Sequence, residues 1–248
     1  MRIVLTAMTC PEGDLGGNLR THLTAVDEAS DLGADLVVFP EFSLTGSVDP
    51  STNAGQAIRL NDPAVGELAA ATGKVAAVFG LAERDGDDFF VTQVVAYGGV
   101  IVAVQRKRYL GEGEDGYCTG VETATFQVAG RTCGLVVCAE AGVDWTWDAC
   151  VQSGAEVILF CSAPGLYGRR TDRAGWRAGL SWWETCGLGD ARWQARRLGV
   201  WVGMATQAGS TLDEDFPGLA ALVSPIGDVV ARTPDWRPGR LLVEIPPA

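Results

Sequence analysis

The chain has 248 residues, 47% of them hydrophobic and 20% charged, with a net charge of −12 and an isoelectric point near 4.5. This is the composition of a globular protein with enough chain to bury a sizeable core. An acidic surface of that size repels nucleic acid and anionic membrane, so neither is an expected partner.

The sequence holds no Pro-, Ser- or Gly-rich linker, no block of like charge and no internal repeat, so a single domain over 1–248 is expected. No run of about 18 apolar residues is present to span a membrane. The opening residues Met1-Arg2-Ile3-Val4-Leu5 read as a strand rather than a signal peptide. The seven cysteines are odd in number and none pairs at two-residue spacing, which points to a reducing, cytoplasmic location.

In chain order, 2–8 reads as a strand and 15–32 as an amphipathic helix closed by Gly33. A short strand at 35–39 runs into Pro40-Glu41. Residues 63–71 form a helix with Asp62 as N-cap and Pro63 in its first position. A buried strand follows at 75–81, then a hairpin of 89–97 and 100–105 about Gly98-Gly99. A second hairpin pairs 125–128 with 132–137 about Gly130. Helix 145–152, strand 156–161, helix 192–198 and strand 200–205 come next. Strands 219–224 and 229–231 flank a turn, and 241–245 is the last strand. Some ten strands with several helices make a layered α/β or α+β protein, and the hairpins exclude an all-parallel sheet.

The lone histidine, His22, reads as a surface residue of the first helix. With no other histidine, a Ser-His-Asp or Cys-His triad is excluded, as is a zinc site needing several histidines. Neither a metal nor a cofactor is expected. Gly111–Gly120 has no phosphate-loop spacing and reads as a flexible turn.

Three polar residues stand just after apolar strands: Glu41, Lys107 and Cys138. Singly, each has an ordinary structural reading. Together, and in this order, they resemble the nitrilase superfamily of carbon–nitrogen hydrolases. The segments that carry the resemblance are Phe39-Pro40-Glu41-Phe42-Ser43-Leu44-Thr45-Gly46, Arg106-Lys107-Arg108-Tyr109-Leu110 and Val136-Val137-Cys138-Ala139-Glu140. Ser153-Gly154-Ala155-Glu156, Ala205-Thr206-Gln207-Ala208-Gly209 and Ser224-Pro225-Ile226-Gly227-Asp228 extend it over nearly the whole chain.

The resemblance implies a four-layer αββα sandwich that associates as a homodimer or larger homo-oligomer. It implies Cys138 as nucleophile, Glu41 as base and Lys107 with the Ala139 N–H as stabilisers of the developing negative charge. It further implies a second glutamate beside the lysine, Glu114 with Glu112 as the competitor, and substrate contacts from Ala139, Glu140, Ser162 and Ala163. The residue types suit the chemistry, because a thiol without a histidine needs a carboxylate to take its proton.

The expected activity is hydrolysis of a small-molecule amide or N-carbamoyl bond through a thioester. A nitrilase or an acyltransferase using the same thioester is the alternative. A non-catalytic binding protein is disfavoured because Glu41, Lys107 and Cys138 are all present. The sequence departs from the family most in 165–193, where Trp176, Trp182, Trp183 and Trp193 interleave with Arg169, Arg170, Arg173 and Arg177. That segment reads equally as a pocket wall or a dimer interface.

Overall fold

The computed structural model describes residues 1–247. Strands β1 (Arg2–Met8), β2 (Leu36–Val38) and β3 (Ala76–Asp85) run parallel, and β4 (Asp88–Tyr97) and β5 (Val100–Arg106) extend them antiparallel. A second set mirrors the first. β6 (Thr125–Val128) is antiparallel to β7 (Arg131–Val137), and β7, β8 (Val157–Ser162) and β9 (Trp201–Ser210) are parallel. The two sets meet at one short joint, where Ala7 and Met8 pair with Thr206 and Gln207.

Away from that joint each set gains its own neighbour. β13 (Gly239–Glu244) covers β1 from Arg2 to Ala7, while β11 (Ala221–Val223), backed by β12 (Val229–Arg232), covers β9. The sheet therefore splits into two leaves that face each other. Ile3, Leu5, Leu36 and Val78 from one leaf pack with Leu135, Val157, Leu159 and Leu222 from the other.

Alternate residues of the same strands point outward under helices, as the two-residue period of a strand requires. Val4, Val37, Ala77 and Phe79 meet α1 (Leu15–Asp31) and α3 (Pro63–Ala71). Val136, Ile158, Phe160 and Val202 meet α4 (Asp144–Gln152) and α6 (Gly189–Leu198). The result is the expected αββα sandwich, and strands buried on both faces explain the near-continuous apolar runs. Asp62 caps α3 by accepting from the Ala64 N–H at 2.9 Å.

The structure corrects four readings. His22 is not on the surface: it is fully buried, with its ring 4.1 Å from that of Phe39 and its Nδ1 2.7 Å from the Asn18 carbonyl. Asn18, His22, Ala25 and Ala29 form the buried face of α1, so a polar side chain sits where the helical period puts core residues.

The helix placed at 192–198 is the end of a longer one. α5 (Arg173–Trp183) passes through a π-helical turn at Glu184–Leu188 directly into α6. Its buried face is Gly179, Trp183, Gly187, Ala191 and Ala195, and glycines in that row disguise the pattern as a loop. They are needed for space: a Cβ at Gly179 would lie 2.4 Å from Leu166 Cδ1, and one at Gly187 2.3 Å from the Trp183 ring.

A thirteenth strand, β10 (Asp215–Pro217), escapes the pattern because it is three residues long and contains proline. Residues 111–120, read as a flexible turn, are bonded internally and tied down at their C-terminal end. The Tyr117 N–H donates to the Glu114 carbonyl, the Cys118 N–H to the Phe89 carbonyl and the Gly120 N–H to the Lys107 carbonyl.

No helix among the described residues is long and apolar enough to cross a membrane. All seven cysteines are free thiols.

Candidate active site

The C-terminal ends of β2, β5 and β7 converge on one site, and the chain emerging from each carries one of the polar residues singled out above. After β2 the backbone keeps pairing with β3 as an irregular strand. The Phe39 N–H donates to the Val78 carbonyl and the Leu44 N–H to the Gly80 carbonyl, while the Ser43 and Thr45 hydroxyls accept from the Gly80 and Ala82 N–H groups. Gly80 makes this close approach possible. A Cβ there would stand 2.5 Å from the Phe42 nitrogen and 2.8 Å from the Pro40 carbonyl oxygen. Phe42 holds a left-handed backbone (φ 54°), which turns the chain and sends the Glu41 side chain inward.

Glu41 is buried. Its Oε1 accepts from Lys107 Nζ at 2.8 Å and its Oε2 from the Ala163 N–H, just beyond β8, at 3.0 Å. Gln207 Nε2 donates to the Glu41 carbonyl at 3.2 Å. Lys107, directly after β5, is also buried, and its ammonium donates to Glu114 Oε1 at 2.5 Å. Glu114 is held by the Gly111 N–H, which donates to its other oxygen. Glu112 is exposed at the cavity rim and does not reach the lysine.

Cys138 opens a tight turn (Cys138–Gly142) at the end of β7 and has φ 44°. A left-handed non-glycine residue is a strained arrangement that surrounding contacts must hold, and such strain gathers at functional sites. The contact that holds it is Glu140. Its buried carboxylate accepts from the Val137 N–H, the Arg108 N–H and the Arg108 guanidinium. One side chain thereby fastens the residue before Cys138 to the residue after Lys107. Glu140 does not line the cavity, so the contact with substrate drawn from the resemblance is replaced by this internal one.

Burial pushes the Cys138 thiol up to about 12; Glu41 and Glu114 add to the rise, while Lys107 and the Ser162 hydroxyl oppose it. Burial also raises the Glu41 carboxyl above its ordinary value, against the pull of Lys107. For Lys107, burial alone would lower the ammonium, but Glu41, Cys138 and Glu114 outweigh it and hold the group above its ordinary value. The resting pair is therefore a neutral thiol beside a firmly charged ammonium.

Cys138 opens into a cavity of about 290 Å³ lined by Glu41, Lys107, Glu114, Ala139 and Ala163. Ser162 is buried beneath it and is not part of the lining. The outer wall is made by Phe42, Tyr117, Tyr167 and Trp182. The Trp/Arg-rich stretch divides its roles. Trp182 faces the cavity, Trp183 packs on Phe160 in the core, Trp176 packs on Trp236, and Arg173 and Arg177 are exposed outside the lining.

Tyr117 and Glu214 gave no signal in the sequence. Gln207 left a faint one, a polar side chain in the middle of an apolar strand. No group of three His, Cys, Asp or Glu able to hold a metal ion occurs among the described residues.

A model of the carbon-nitrogen hydrolase family matches residues 4–248. The chain belongs to the carbon-nitrogen hydrolase family. No curated protein matches it. Among solved structures it is similar to the amidase from Nesterenkonia sp. AN1, with a TM-score of 0.84 and 25% identity over 99% of this chain and 93% of that one. A cysteine-to-serine variant of that amidase, described as a member of the nitrilase superfamily, matches with a TM-score of 0.84 and 25% identity, covering 99% and 92%. A glutamate-to-glutamine variant carries acrylamide joined by Michael addition to its active-site cysteine; it is 24% identical, with a TM-score of 0.83 and coverage of 99% and 93%. The carbon-nitrogen hydrolase described here thus shares its αββα sandwich with nitrilase-superfamily amidases, and the family is one of hydrolases acting on carbon–nitrogen bonds other than peptide bonds.

Proposed function

We propose that this carbon-nitrogen hydrolase is an amidase that works as a single domain on a small amide through a thioester on Cys138. The observation that carries the reading is the convergence of a thiol, a carboxylate and an ammonium on one small cavity, with Glu41 bonded to Lys107 and a second carboxylate, Glu114, on the same ammonium.

Burial holds the Cys138 thiol in its neutral form at rest, so it must lose its proton as it attacks. Glu41 accepts that proton while sulfur bonds to the amide carbon. Negative charge then develops on the amide oxygen, where the Lys107 ammonium and the Ala139 N–H stabilise it. Glu41 returns the proton to the amide nitrogen, the C–N bond breaks, and ammonia leaves an acyl thioester on Cys138. Water then attacks the thioester as Glu41 takes a proton from it. Collapse of the second tetrahedral intermediate releases the carboxylic acid and restores the thiol. Glu114 holds the ammonium between two carboxylates, keeping it charged and fixed in place.

The known covalent addition of acrylamide to the Nesterenkonia amidase cysteine supports a nucleophilic role for the matching position here. The test is intact-mass analysis after incubation with short aliphatic amides and with fluoroacetamide. A mass increment of one acyl or acetamide group, mapped by peptide digestion to Cys138, is the expected result. Label on another cysteine, or none, overturns the reading.

A further inference from the structure

The charged side chains that line the cavity are Glu41, Asp49, Glu112, Glu114, Glu214 and Lys107. The only cation among them is already committed, because Lys107 donates to both Glu41 and Glu114. Arg169 and Arg170, which follow the lining residue Tyr167 in the chain, are committed as well. Arg169 pairs with Asp215 at 3.0 Å, and Arg170 donates to the Leu166 carbonyl at 2.6 Å. A carboxylate carried into this cavity would lose its hydration and meet like charge, with no counter-ion in the lining.

The outer wall favours the opposite charge. Glu214 is half-buried, and one of its oxygens accepts from the Tyr167 N–H at 2.8 Å. At its other end Tyr167 donates its hydroxyl to the Glu112 carbonyl at 3.3 Å, so the ring spans the mouth between the two glutamates. Tyr167 is 77% exposed and Trp182 43% exposed, leaving aromatic faces available to a cation beside those carboxylates. Gly165 leaves room for this arrangement, since a Cβ there would lie 2.2 Å from Glu214 Oε1.

Resting on the amidase reading, we propose that the cavity selects amides whose far end carries an ammonium group and rejects those ending in a carboxylate, with Glu214 and Glu112 as the specificity-determining residues. Ureido acids and other carboxylate-bearing amides are thereby excluded as substrates. The cavity lies at the low end of the ~300–1,000 Å³ range of ligand pockets, which limits the tail to a short chain.

The test compares kcat/KM for three amides of matched length: 5-aminopentanamide, pentanamide and glutaric acid monoamide. The amino amide should exceed pentanamide by about tenfold and the monoamide by about 100-fold at low salt, with the spread shrinking as salt is added. In the double variant Glu112→Gln/Glu214→Gln the ratio of amino amide to monoamide should fall by about tenfold. A monoamide turned over as fast as the amino amide, or a ratio unchanged in the double variant, overturns the proposal.

If none of the three amides is turned over, the amidase reading is what has failed. The charge preference is then read from Cys138 labelling by methanethiosulfonates of opposite charge. Each forms a disulfide with the thiol and releases methanesulfinate. Peptide mapping separates Cys138 from the exposed Cys118 and Cys186. The cationic reagent should label Cys138 about tenfold faster than the anionic one, after each rate is divided by its rate with free cysteine. Equal rates overturn the proposal whatever the amides do.

Discussion

Glu41 and Lys107 are each buried to the point where neither would keep its charge alone, and each is the other's counter-ion. Their substitution should separate their roles. Glu41→Gln keeps the side-chain shape but accepts no proton, so acylation and hydrolysis should both slow, by about 10²–10⁴-fold for each proton-transfer role. Lys107→Ala removes the charge facing the developing oxyanion and should cost about 10²–10³-fold in kcat. Single-turnover kinetics with mass detection reads both steps, and a fully active Glu41→Gln protein would contradict the mechanism.

His22 carries a different residue-scale consequence. Burial lowers its pKa to about 4 from the ordinary 6.5, although its bond to the Asn18 carbonyl opposes the fall. The folded protein keeps the imidazole neutral while the unfolded chain protonates below 6.5. The stability associated with that difference is complete above 6.5 and is lost as pH falls from 6.5 to 4, to a total of about 3 kcal/mol. Urea unfolding of the wild type and His22→Asn at several pH values should show a shallower acid-side loss in the variant. Parallel curves would mean that another group controls it.

At the scale of elements, the site depends on how strand ends are tied together. β5 and β7 belong to different leaves, yet the Glu140 carboxylate joins the last residue of β7 to the chain just after β5. Glu140→Gln would leave the Arg108 guanidinium buried without its partner, and breaking a buried pair in this way costs about 3–5 kcal/mol. The expected result is a lower urea midpoint together with a fall in kcat larger than any rise in KM, because Lys107 and Cys138 lose their mutual register. A variant of normal stability and normal kcat would show the pair to be dispensable. The helix running through α5 and α6 shows the same economy. Its π-helical turn, a feature often found at functional sites, adjoins Trp182, which faces the cavity, and Trp183, which lies in the core.

For the whole molecule, the inner core between the leaves draws on both strand sets, so neither set has a complete core without the other. Several large side chains remain on the surface, including Trp145 at 50% and Trp193 at 52% exposure. Aromatic residues of this kind are enriched where proteins associate. We propose that the chain is a homodimer in solution. Light scattering at micromolar concentration should return twice the 26.1 kDa chain mass, and a stable, active monomer would refute it.

How much was legible in the sequence follows from how local each signal is. Apolar runs bounded by glycine and proline were enough to mark twelve of the thirteen strands among the described residues, the glycine that closes α1, the N-cap of α3, and the strand ends that carry Glu41, Lys107 and Cys138. These features depend on residues within a few positions of one another, and the sequence by itself determined them. The tertiary structure alone decided which of Glu112 and Glu114 reaches the lysine, that Glu140 turns inward to Arg108, and that His22 is buried. It also decided that glycines at 179 and 187 serve a helix packed too closely for side chains. Each of those outcomes is set by a neighbour that meets the residue only when the chain folds, and no spacing along the sequence encodes such a meeting.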